Sequence, residues 1–126
     1  MDDLILKGSS VTPSVCLTAS GEMSFEGRCI PENPQELFDE LISWFNEYAV
    51  SPAAKTVLTF RFEYLNSASV KNVLHLLKTL VQLLGDASEL IVRWVYEEDD
   101  EIIFEAGESL QMLVKIPFEF VPVPES

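Results

Sequence analysis

The sequence predicts an α/β domain, a mixed β-sheet with helices packed against it in the order ββαβαβαβ. Three observations carry that expectation. Residues 14–28 read as strand, tight turn and strand. Three further strand-like runs, 55–65, 90–96 and 116–121, then alternate with stretches of helical period. Both long helical stretches are apolar on one side only, so each has one face to bury and one to leave in water. At 126 residues the chain fits a single domain, 1–126, long enough to remove about two-thirds of its unfolded surface from water.

Residues 1–11 read as a loose lead-in, and residues 122–126 (PVPES) as a loose tail. Ser14 to Ala19 alternates weakly and carries Val15, Cys16, Leu17 and Thr18, as a strand would. Ser20-Gly21 supplies a tight turn, and Glu22 to Arg28 returns. With the turn centred on that pair, Cys16 falls opposite Phe25, Thr18 opposite Met23 and Cys29 opposite Thr12. The two cysteines are then far apart, and no disulfide is expected.

Pro31-Glu32-Asn33-Pro34 announces a helix: Asn33 caps, Pro34 takes the first helical position and Glu36 completes a box-like arrangement. Leu37, Phe38, Leu41, Ile42, Phe45 and Tyr48 form its apolar stripe, with Trp44 at the margin. Ser51-Pro52 ends it. Lys55 to Leu65 is the clearest strand, with Leu58, Phe60, Phe62 and Tyr64 on one face and Val57, Thr59, Arg61 and Glu63 on the other. A second helix begins near Val70, with Val73, Leu74, Leu77, Leu80, Val81 and Leu84 on its stripe and Gly85 closing it. Leu90 to Tyr96 is a strand. Glu97 to Glu101 is an acidic run, followed by a short helix carrying Ile102, Ile103, Ala106, Leu110 and Leu113 despite Gly107. Ile116 to Val121 is the last strand, placed at an edge or started late by Pro117.

Twenty-one acidic residues against 8 basic ones give a formal charge of −13. Nucleic acid and anionic membranes are poor partners for such a chain, whereas proteins with basic faces suit it. No signal-peptide pattern opens the sequence, and no apolar run approaches the ~20 residues a membrane helix needs. With two unpaired thiols, a cytoplasmic protein is expected.

Chemistry-bearing motifs are scarce. His75 is the only histidine and flanks the second helix's apolar stripe, with no companion ligand or nucleophile near it in sequence. No glycine-rich phosphate loop is present. The acidic run lacks the alternate spacing and glycine of a calcium loop; it reads as a solvated loop feeding a helix N-terminus. A small acidic enzyme using Glu97 to Glu101 with a divalent metal is the weakest alternative. Neither a catalytic residue nor a cofactor is expected.

What stands out is the hand-over from strand to helix, Tyr64-Leu65-Asn66-Ser67-Ala68-Ser69. Capping alone would select such residues before an apolar helix, at about 1 kcal/mol. A phosphate on Ser67 has its own physics. It adds about −1.5 to −2 charges at the positive end of a helix dipole, beside free backbone N–H groups, with Lys71 one turn onward. Ser69 is the rival acceptor. Spacing leaves both readings open.

The path from Thr12-Pro13 through Pro31-Glu32-Asn33, the 64–69 junction, Trp94-Val95-Tyr96 with its acidic run, and Ile116-Pro117-Phe118 resembles the SiaC-type regulatory phosphoproteins over about residues 10–120. The resemblance implies a STAS-like (SpoIIAA-like) fold, similar to the anti-sigma-factor antagonists. It also implies a partner switch: a dedicated protein kinase phosphorylates the protein, a PP2C-type phosphatase reverses this, and the unmodified form activates a diguanylate cyclase. Cyclic di-GMP output then governs biofilm behaviour. The family motif places the phosphoacceptor on Ser67, within the surroundings Tyr64, Leu65, Asn66, Ala68, Ser69 and Lys71. Two departures stand out: members that match best carry threonine at that position, and Ala68 replaces a frequent hydroxyl. The alternative circuit is a STAS-type antagonist that binds an anti-sigma kinase.

Overall fold

The computed structural model describes residues 1–124. Its elements are β1 (Leu4–Leu6), β2 (Ser14–Leu17), β3 (Glu22–Cys29), α1 (Pro34–Tyr48), β4 (Lys55–Leu65), α2 (Ser67–Leu84), β5 (Glu89–Glu97), α3 (Glu101–Val114) and β6 (Phe118–Val123). They form a six-stranded sheet in the order β1-β2-β3-β4-β5-β6. The first three strands pair antiparallel, and β3 to β6 pair parallel. Each parallel step is bridged by one helix. Crossovers of one hand, all stepping the same way along a sheet, lay their helices on one face; accordingly α1 touches α2 and α2 touches α3. Among the described residues the opposite face of the sheet carries no helix.

The core lies between that helical layer and β3, β4 and β5. Leu58 and Phe60 of β4 are fully buried, Phe25 stacks on Phe60 with ring centroids 4.6 Å apart, and Trp94 closes the cluster at 5.7 Å from Phe60. α1 contributes Phe38, Leu41, Trp44, Phe45 and Tyr48. The Nε1–H of Trp44 donates to the Asp2 carbonyl at 3.0 Å, tying the N-terminal segment down. α2 buries Val73, Leu76, Leu77, Leu80 and Leu84. Its buried face is thus turned toward Leu76, and Val81, expected on the stripe, is exposed.

Several boundaries differ from the sequence expectations. The lead-in is not loose throughout: Leu4 to Leu6 pairs with Val15 to Leu17, adding a strand too short for a pattern to reveal. The hairpin loop has three residues rather than two, with Gly21 at φ +98° and the Gly21 N–H bonded to the Thr18 carbonyl. That slips the register by one, so Cys16 faces Ser24 and Leu17 faces Met23. Cys29 is not opposite Thr12; it ends β3, paired with Leu65. Both thiols are free. The tail is also shorter than expected, because Pro122 and Val123 continue β6 against Tyr96 and Glu97. On an edge strand, Pro122 can point its missing donor away from the ladder. Glu125 and Ser126 lie outside the described residues.

At the N-terminal ends of β4 and β5, a buried hydroxyl chain links α1 to the sheet. Tyr48 Oη and Thr56 Oγ1 lie 2.7 Å apart, Thr56 Oγ1 and Ser88 Oγ lie 2.6 Å apart, and Tyr48 Oη accepts the Ala53 N–H. Tyr48→Phe orphans the Ala53 N–H and leaves the buried Thr56 hydroxyl with Ser88 as its remaining partner. The expected result is a loss of about 2 kcal/mol in urea unfolding, with the fold retained by circular dichroism.

Candidate functional site

The carboxyl ends of β3, β4 and β5 lie together, because the three strands are parallel neighbours. Each is followed by a helix N-terminus at that same end of the sheet, and each of those helices is capped by a side-chain oxygen. Asn33 accepts from Glu36, Asn66 from Ser69 and Asp100 from Ile103. Such a row is where open α/β sheets place their sites.

The three termini differ in charge. α1 has Glu36 in its first turn and α3 has Glu101, whereas α2 has no acidic residue there. In a chain of net charge −13, α2 alone leaves the positive end of its dipole uncompensated. Ser67 occupies its first helical position, and Asn66, not Ser67, is the cap: Asn66 Oδ1 accepts the Ser69 N–H at 2.8 Å, and the Asn66 carbonyl accepts the Val70 N–H at 3.0 Å. The helix therefore begins three residues before Val70. The N–H groups of Ser67 and Ala68 have no protein acceptor among the described residues. Ser67, Ala68 and Lys71 are exposed.

Ser69 is the opposite case. It is 1% exposed, and its buried Oγ has no nitrogen or oxygen hydrogen-bond partner among the described residues. The Cys29 thiol at the end of β3 lies against it; burial pushes the thiol's pKa up, and the neighbouring hydroxyl offsets part of that rise. Ser69 in this conformation is closed to any modifying enzyme. Because a thiol is a weak partner, the Ser69 hydroxyl recovers little for its lost hydration, and Ser69→Ala is expected to stabilise the fold by about 1 kcal/mol, read as a higher urea midpoint at unchanged slope.

Tyr64 is not on the face the alternation assigns it. The β3–β4 register jumps from Gly27 opposite Phe62 to Arg28 opposite Tyr64, leaving Glu63 as an extra residue on β4. The phase of the strand flips there: Leu65 packs against the core, and Tyr64 is 52% exposed with the Arg28 guanidinium 5.8 Å from its ring centroid. Arg28 is a site residue that the sequence does not advertise, since only the bulge brings it to Tyr64. Nearby, a groove of about 350 Å³ on the helix-free face holds Arg61 among Glu26, Glu63, Glu97 and Asp100. Its carboxylates disfavour an anionic small ligand. His75 is exposed on α2, away from these groups. Among the described residues no group of His, Cys, Asp and Glu side chains could hold a metal ion, and no helix is long and apolar enough to cross a membrane.

The family model for SiaC family regulatory phosphoproteins matches residues 6–123. The chain belongs to the SiaC family. An uncharacterised protein of Pseudomonas aeruginosa (strain UCBPP-PA14) is 29% identical over 119 residues, 94% of each chain. Apo-SiaC of Pseudomonas aeruginosa superimposes with a TM-score of 0.84 at 28% identity, over 96% of this chain and 99% of that one. The structure of the diguanylate cyclase SiaD in complex with its activator SiaC, from the same organism, gives 0.87 at 27% identity, over 96% and 100%. The mixed sheet with its helices on one face is therefore the SiaC fold, compatible with the STAS-like arrangement.

Proposed function

We propose that this SiaC-family chain is a non-enzymatic, cytoplasmic partner-switch protein whose unmodified form binds and activates a diguanylate cyclase, and whose switch is phosphorylation of Ser67. The cyclase target rests on the SiaD–SiaC complex formed by a relative of the same fold. The acceptor rests on one observation above the rest: at the only one of the three helix N-termini without a first-turn acid, Ser67 presents an exposed hydroxyl while Ser69 is sealed in the core. A protein kinase would transfer the terminal phosphoryl group of a nucleoside triphosphate to Ser67 Oγ, displacing its proton and releasing the diphosphate. A PP2C-type phosphatase would return the hydroxyl and inorganic phosphate by hydrolysis. The phosphoserine oxygens would meet the free Ser67 and Ala68 N–H groups, with Lys71 one turn on.

The test is co-expression with the kinase encoded by the same host, followed by intact-mass measurement and peptide mapping. One phosphate on Ser67 is expected; a phosphate elsewhere, or none, would sink the acceptor assignment. Capture from the host on unmodified protein should then yield a diguanylate cyclase. Capture of an anti-sigma kinase instead would move the chain to the antagonist circuit on the same fold.

A further inference from the structure

The Arg28–Tyr64 pair lies beside the proposed switch and is part of no interaction described for it so far. Arg28 is exposed at the end of β3, and its only interaction among the described residues is with the Tyr64 ring. That is unusual company for a guanidinium in a chain with 21 carboxylates. On the sheet's open face Arg93 pairs with Glu119 at 3.7 Å, which shows that acids are available to arginines there. Arg28 instead sits at the one place where the β4 bulge turns an aromatic outward.

Backbone spacing also bounds its separation from Ser67. Arg28 is one strand spacing, about 4.8 Å, from Tyr64. Ser67 follows Tyr64 by three residues, at most about 11 Å of chain even if fully extended. The next residue of β3, Cys29, is already in contact with the first turn of α2 through Ser69, so the end of β3 and the start of α2 are neighbours rather than merely close in sequence.

Resting on Ser67 as the acceptor, we infer that Arg28 is the residue that reads its phosphorylation: it stacks on Tyr64 when Ser67 is unmodified and leaves the ring to pair with the phosphate when it is not. The physics favours the exchange. An exposed cation–π contact is a weak hold, whereas a guanidinium meets a dianionic phosphate through two parallel charge-assisted hydrogen bonds. The consequence falls on the surface offered to a partner. In the unmodified state Arg28 and Tyr64 form one continuous patch of two of the three residue types enriched at binding hot spots. In the phosphorylated state that patch is dismantled, and the ring stands alone beside new negative charge. The switch therefore acts on a surface as well as on a charge, and Arg28 is a positioning residue for it.

The experiment installs phosphoserine at position 67 during translation, so it does not depend on any kinase, and follows the phosphate by phosphorus NMR as pH is varied. With Arg28 present, the second ionisation should fall below its ordinary value of about 6, because a cation favours the dianion. Arg28→Met should raise it by about half a unit or more, and Arg28→Lys should lie between, keeping charge without the planar fork. Lys71→Met is the control and should move it less than Arg28→Met does. In parallel, the Tyr64 ring resonances should shift on installing phosphoserine, in the direction that Arg28→Met shifts them in the unmodified protein. An ionisation indifferent to Arg28→Met, or Tyr64 resonances indifferent to phosphoserine, would overturn the inference. Failure of the acceptor assignment would appear elsewhere, as an unphosphorylated Ser67 in kinase co-expression, and would leave this titration unchanged.

Discussion

Ser67→Asp is expected to weaken binding to the diguanylate cyclase about tenfold or more, which is about 1.4 kcal/mol, while Ser67→Ala stays within about twofold of the parent. Isothermal titration or surface plasmon resonance against the captured cyclase checks both. A carboxylate at the first position of α2 sits at an exposed site, so its effect on folding has the opposite sign. It compensates a helix dipole that has no first-turn acid and should stabilise the free protein by about 0.3–1 kcal/mol. Affinity falling while the unfolding midpoint holds or rises cannot be ascribed to damaged structure. The loss follows from placing negative charge where the unmodified surface has only a small hydroxyl, inside a contact whose partner must complement a −13 chain. Equal affinity for the aspartate and alanine variants would mean that this hydroxyl is not the switch, whatever modifies it.

The strands and helices that carry long apolar patterns were legible from the residues. β4, with buried Leu58, Phe60 and Phe62, runs from Lys55 to Leu65 as its strand-like run predicts. Asn33 and Pro34 start α1, and Gly85 closes α2, because capping and positive φ leave chemical signatures that neighbours do not override. What escaped was fixed by tertiary pairing. The three residues of β1 acquire strand geometry from β2, and Pro122 survives in β6 because the strand is at an edge. The Glu63 bulge is silent in sequence, since a residue added between two apolar ones leaves the pattern looking continuous; it alone decides that Tyr64 faces out beside Arg28 and Leu65 faces in.

Ser69 was legible in principle. Once α2 starts at Ser67 rather than near Val70, helical spacing places Ser69 on the stripe of Val73, Leu76 and Leu80, hence inside. Starting the helix at the first apolar residue hid that, and made two equivalent serines of one exposed and one buried.

Gly107→Ala should lower the unfolding free energy by about 2 kcal/mol, against the usual direction for a helix interior. Intrinsic preference alone would make alanine the better residue in α3 by about 1 kcal/mol. The added methyl, however, would lie 2.6 Å from Cδ1 and Nε1 of Trp94 and 2.8 Å from its Cε2. That ring has nowhere to go. It is 1% exposed, lies between Phe60, Phe62 and Phe118 at centroid distances of 5.7, 5.9 and 6.3 Å, and donates its Nε1–H to the Ile103 carbonyl of α3 itself at 2.9 Å. Either the indole leaves its hydrogen bond and its stack, or α3 rises from the sheet and takes Ile103 and Leu110 with it. Overpacking of this kind costs about 1–3 kcal/mol, with the upper part of that range fitting an immobile ring, and the helix preference returns only a fraction. Urea unfolding followed by circular dichroism measures the loss, and emission in a Trp44→Phe background, where Trp94 is the one tryptophan left, reports whether the ring has moved. An unchanged or higher midpoint would mean that α3 can lift without penalty, and its height over the sheet would then be set by something other than the contact of Gly107 with Trp94.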